Sequence, residues 1–186
     1  MFSEFAEVSS ATWGVIVALL LVGVVVFAVS KDKKRWTARM LANGALCIAL
    51  STVLSFITLY KMPQGGSITL ASMLPMFLFA YAYGVGPGML VGAAYGFVQF
   101  LQGGLYFVHP VELLLDYPLA FAMLGLAGLS NKFSDQWGMI PGIILGTFGR
   151  FVCAFLSGLI FFGMYAPEGQ NVVIYSMVYN GLYLVP

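Results

Sequence analysis

"HPVELLLDYPLAFAMLGLAGL", residues 109–129, decides what kind of fold this chain adopts. It is apolar and helix-capable over about 20 residues, the length that crosses a hydrocarbon core of roughly 30 Å. Yet it carries two acids. Glu112 and Asp116 stand four residues apart and share one face of a helix. A carboxylate bordering lipid is costly unless it is solvated, paired or protonated. The stretch therefore reads as a membrane helix with a polar demand on one side.

The rest of the chain agrees with a membrane setting. Of its 186 residues, 61% are hydrophobic and only 8% are charged, against about 25% charged in a soluble domain. The formal net charge of +1 gives no reason to expect nucleic acid. Cys47 and Cys153 both fall in apolar runs and read as buried thiols, with no CxxC pair. Helices are expected at about 12–30, 37–60, 67–84, 87–104, 111–130, 139–164 and 172–186. The last gives about 22 Å of helix, short of the core, so its end is expected to be incomplete.

Charge sets the orientation. The first run, 12–30, is preceded by Glu4 and Glu7 and followed by "KDKKR", the pattern of a retained signal-anchor with its N-terminus outside. Arg39 and Lys132 extend the basic side. Connections 31–36, 84–87 and 131–138 are then cytoplasmic, and "KMPQGGSI", "GGLYFVHPVE" and "MYAPEGQN" face outside.

The outer segments hold most of the unusual side chains. One contributes Tyr106, His109, Glu112, Asp116 and Tyr117; another contributes Tyr165, Glu168, Gln170 and Asn171. Beyond it, Tyr175, Tyr179 and Tyr183 recur every four residues beside Asn180, on one broad helix face. A tyrosine belt at the membrane interface is the ordinary reading of that stripe. A carboxylate among aromatic faces also suits an organic cation, at about 0.5–2 kcal/mol per ring. Asn180 both donates and accepts, as a heteroaromatic ring edge requires. Taken singly, Glu112 and Asp116 also suit a helix N-terminus, Glu112 the better. His109, before Pro110 at the helix start, reads as a cap-region residue. Arg150 lies near mid-membrane and should face protein, in a structural role rather than on a ligand.

Ala38, Ala42, Ala45 and Ala49 form two AxxxA spacings, a flat strip that admits a close helix neighbour, ordinarily for internal packing. The sequence contains no GxxxxGK[ST], HExxH or GxSxG pattern. It does not read as an enzyme, and it needs no cofactor or metal.

The stretches "MPQGGSITLASMLP", "GLYFVHPVELLLDYPLAFAMLGLAGL", "GRFVCAFLSGLIFFGMYAPEG" and "VIYSMVYNGLYLVP", in this order, resemble the thiamine-specific substrate-binding subunit (S component) of energy-coupling factor (ECF) transporters. The resemblance implies an all-α, polytopic membrane bundle: a six-helix S-component core over 37–186. Residues 1–36 add one extra transmembrane helix and a basic linker. It implies thiamine or a related heterocycle as ligand, with a transmembrane coupling protein and two cytoplasmic ATPases as partners; those partners, not this chain, use ATP. By the same matching, Tyr106, Asp116, Tyr117, Tyr175 and Asn180 fall at thiamine-contacting positions, and Ala45 and Ala49 on the docking strip. Asp116 stands where the family has glutamate, Ala154 where it has histidine and Phe162 where it has tryptophan. The glycines of "MPQGGS" suit a mobile lid. A self-sufficient secondary transporter of a small organic cation is the rival. It would show internal repeats and midplane ionisable groups, and only Arg150 qualifies.

Overall fold

Thr37 opens the first helix by accepting the Met40 N–H on its hydroxyl at 3.2 Å, which satisfies one of the donors a helix start leaves orphaned. The structure is a computed structural model and describes residues 36–62, 66–103, 110–132, 138–167 and 169–184. The expected helix at 12–30, its basic linker and the N-terminal orientation lie outside those residues.

Helix α1 (Ala38–Phe56) ends four residues before the expected boundary. Strands β1 (Thr58–Lys61) and β2 (Ser67–Thr69) follow, paired antiparallel with Thr58 opposite Thr69 and Lys61 opposite Ser67. The expected spans 37–60 and 67–84 are thus corrected: a hairpin rich in β-branched and aromatic residues stands between two shorter helices. Helix α2 (Leu74–Tyr83) has 10 residues, carries Pro75 in its first turn and stops at Gly84. Gly84 takes φ 96°, a conformation open to glycine, and serves at once as the cap of α2 and the start of α3 (Val85–Gln102).

The segment that opened the sequence reading becomes α4, and it is not a uniform helix. It is α-helical over Pro110–Leu114, π-helical over Leu115–Leu119, α-helical over Ala120–Ala122 and 3-10 over Met123–Lys132. Pro118 has no N–H to give the Leu114 carbonyl, and the helix widens around it. Ala120 reaches back to the carbonyl of Leu115, five residues earlier. Helices α5 (Ile140–Phe161) and α6 (Val172–Leu184) complete the bundle, joined through a short 3-10 turn at Gly163–Tyr165.

A row of glycines on α3 sets how closely α4 lies. A Cβ at Gly96 would come within 2.5 Å of the Tyr117 carbonyl oxygen, and one at Gly92 would strike the Phe121 carbonyl. A Cβ at Gly88 would sit 3.0 Å from the Gly125 Cα. Backbone meets backbone along this seam, as small residues allow in membrane helices. Beside it lies the main apolar core, including Phe77, Phe79, Tyr95, Phe121 and Leu124. Tyr95 is fully buried: its hydroxyl donates to the Ser51 carbonyl at 3.1 Å and accepts from Gln99 at 2.7 Å.

Outward faces are apolar. Leu46, Val53 and Phe56 on α1, and Ile140, Ile144 and Phe148 on α5, are exposed large side chains, as lipid-facing helices require. Among the described residues, Ala38–Phe56, Val111–Asn131 and Ile140–Phe161 are long and apolar enough to cross a membrane. Among the described residues the alanine strip is not packed: Ala38, Ala42, Ala45 and Ala49 are all exposed.

Candidate functional site

One end of the bundle holds a cavity of about 580 Å³, within the range that encloses a small organic ligand. Each wall has a local cause. The end of α3 brings Gln99 and Gln102, and the widened turn of α4 brings Asp116 and Tyr117. On α5, Arg150, Ala154, Ser157 and Gly158 follow the i, i+4, i+7, i+8 spacing of one helix face. Helix α6 supplies Tyr175, Ser176, Tyr179 and Asn180 from the opposite side, and the hairpin adds Lys61, Met62, Gly66 and Ser67. The Gly66 N–H donates to the Tyr179 hydroxyl at 3.4 Å, tying the hairpin to α6.

Of the residues singled out in the sequence, Asp116, Tyr117, Phe162, Tyr175 and Asn180 all line this cavity. Tyr106, His109 and Glu168 lie outside the described residues, as does the side chain of Tyr183. Tyr165, Gln170 and Asn171 are exposed and take no part in the lining.

The polar groups are held by neighbours. Ser157 donates its hydroxyl to Asp116 Oδ2 at 2.7 Å. Asn180, only 5% exposed, donates from Nδ2 to the Ser176 carbonyl at 2.9 Å and contacts Ser176 Oγ at 3.2 Å. Ser176 in turn donates to the Phe155 carbonyl at 2.9 Å, which pins α6 to α5. Tyr117 meets Phe100 edge-on with centroids 5.4 Å apart, and Tyr175 leans on Tyr179 at 6.0 Å. Phe162 packs against Tyr165 at 5.9 Å.

Arg150 faces protein, as its mid-membrane position demands. Its guanidinium lies 4.0 Å over the Phe121 ring and beside the Met73 sulfur. It lines the main cavity and a second one of about 220 Å³ that also touches Tyr95 and Gln99. Four charged residues line the main cavity: Lys61, Glu112, Asp116 and Arg150. Lys61 is exposed at the hairpin, so the inner wall carries two acids against one guanidinium. No group of three His, Cys, Asp or Glu side chains among the described residues is placed to hold a metal.

The sequence reading did not single out Ser157, Ser176, Gln99 or Gln102. The Gln102 amide lies 3.1 Å from the Ser55 hydroxyl, whose proton goes to the nearer Thr52 carbonyl, while its buried Nε2 has no partner among the described residues. The face shared with Arg150 and Ala154 was the signal that would have found Ser157. Glu112 was read as a helix-start acid; it occupies the first turn of α4 and, 3% exposed, also lines the cavity.

A helical membrane bundle with an acidic, tyrosine-lined cup at one end has the architecture of a protein that takes up a small molecule. The family model described as "Thiamine transporter protein (Thia_YuaJ)" matches residues 41–186, and the chain belongs to that family. It is 36% identical to the thiamine transporter ThiT of Bacillus subtilis over 155 residues, covering 76% of this chain and 80% of that protein. It is 32% identical to ThiT of Lacticaseibacillus paracasei over 123 residues, covering 59% of this chain and 61% of that one. A solved structure of ThiT from Listeria monocytogenes superposes with a TM-score of 0.66 at 29% identity, covering 78% of this chain and 85% of its own. The family read from the sequence motifs is therefore the family the chain belongs to, and these relatives are transporters rather than enzymes.

Proposed function

We propose that this chain is the thiamine-binding S component of an ECF transporter and that the 580 Å³ cavity is its ligand site. The observation that carries the reading is convergence. Asp116 and Tyr117 from α4, and Tyr175 and Asn180 from α6, line one cavity although about 60 residues separate them in sequence. Asp116 counters the positive charge of the thiazolium ring, and Tyr117, Tyr175 and Phe162 pack on the flat rings. Asn180 reads a ring edge, and Tyr106, outside the described residues, is assigned to the ligand by the family resemblance alone. The "MPQGGS" loop, whose residues 63–65 lie outside the described residues, is the candidate lid, with its flanking Met62, Gly66 and Ser67 on the cavity wall.

Residues 37–186 form the ligand-binding membrane domain, and residues 1–36 add a helix whose N-terminus is outside. The exposed Ala45 and Ala49 on α1 serve as the docking strip for the transmembrane coupling protein, which works with two cytoplasmic ATPases. Thiamine titrated into the purified chain, followed by intrinsic fluorescence, should bind below micromolar concentration. Failure of thiamine with binding of another heterocycle would reassign the ligand. Uptake that persists without any ATPase partner would replace the ECF reading with a secondary transporter.

A further inference from the structure

We infer that Ser157 is a positioning residue for ligand binding: it clamps the Asp116 carboxylate so that the acid's free oxygen is presented to the bound cation. The inference rests on the thiamine-binding reading and deepens it.

The hydrogen bond itself is directional. An ionised carboxylate only accepts, so the 2.7 Å contact to Asp116 Oδ2 uses the single proton of the Ser157 hydroxyl. That use is unusual for a hydroxyl inside an apolar helix, which ordinarily returns its proton to a carbonyl three or four residues back. Here Thr52 does so to Ile48, Ser55 to Thr52 and Ser130 to Ala127. Ser157 instead crosses from α5 to α4, and it is 1% exposed.

Both partners line the cavity. With Oδ2 engaged by a charge-assisted bond, Oδ1 is the oxygen left for the ligand. The aspartate has one side-chain torsion fewer than the family's glutamate, and the bond to a second helix restrains the two that remain. A preset carboxylate spends no rotamer freedom when the cation arrives. Gly158, the next residue, serves the other wall: a Cβ there would strike Ser176 Oγ and come 3.1 Å from Asn180 Nδ2. Ser157 and Gly158 together hold the acid and the amide in mutual register.

The test is a double-mutant cycle read as thiamine affinity by calorimetry in detergent, with Ser157→Ala, Asp116→Ala and the pair. Ser157→Ala should weaken thiamine about tenfold alone and less than twofold in the Asp116→Ala background. An uncharged thiophene isostere of thiamine, which does not use the acid's charge, should bind the wild type and Ser157→Ala equally. The thermal midpoint of ligand-free Ser157→Ala should stay within about 2 °C of wild type. Equal losses in both backgrounds, no loss at all, or a matching loss for the isostere would overturn the inference while thiamine binding by the wild type stands. A wild type that binds no thiamine would overturn the functional reading, and this inference with it.

Discussion

Helices α1 and α4 both contain apolar windows fit to cross a membrane, yet 17% of the window is buried in α1 and 56% in α4. Both carry small residues that a helix neighbour can approach. The difference lies in what has approached. The glycine row of α3 has already drawn the α4 backbone into contact, while the alanines of α1 are exposed among the described residues. Hydropathy is blind to that distinction, because lipid and protein interior are equally apolar. On the function proposed above, the buried helix holds the ligand groups and the open one serves a partner.

The contrast is testable through one quantity, thiamine affinity of the isolated chain. Asp116→Asn should have the largest effect, a loss of about 2–5 kcal/mol measured by calorimetry, with the protein still folded. Retained submicromolar binding would remove α4 from the site. Gly96→Val comes next. It forces the α3–α4 seam apart at the Tyr117 carbonyl, at a cost of about 1–3 kcal/mol, and should lower the thermal midpoint while weakening thiamine several-fold. Phe162→Trp enlarges a ring already on the cavity wall and should tighten binding by about 0.5–1 kcal/mol. Ala45→Leu with Ala49→Leu should leave affinity and midpoint unchanged in the isolated chain. The same pair should abolish assembly with the coupling protein and thiamine uptake in cells; uptake at the wild-type rate would show that α1 docks nothing.

Much of this was legible in the residues. Long apolar runs located α1, α3, α5 and α6, and the acids and tyrosines marked where the cavity lies. The hairpin was not legible, because "ITLYK" and "SITLASM" are apolar enough to pass for helix continuations. Only the fold shows that this non-helical backbone lines a cavity, one of the settings in which membranes tolerate it. The glycines at 88, 92 and 96 fell within a run already read as a span, so their spacing said nothing about which neighbour they admit. Ser157 escaped because a lone hydroxyl carries no charge, and its place on the helix face of Arg150 and Ala154 marks it only once that face is known to line the cavity. Its meaning depends on Asp116, 41 positions earlier.

Pro118 has a further effect on how α4 works. The π turn it imposes inserts one extra residue into the helical count, and one residue corresponds to about 100° of rotation. The turn therefore acts as a phase shifter. Upstream of it the helix presents Glu112 to the cavity; downstream it presents Phe121 beneath the Arg150 guanidinium. Ironing that segment into a regular spiral would swing the two halves out of step, so that one sequence could no longer aim both its acids and its arginine-bearing ring at the same chamber.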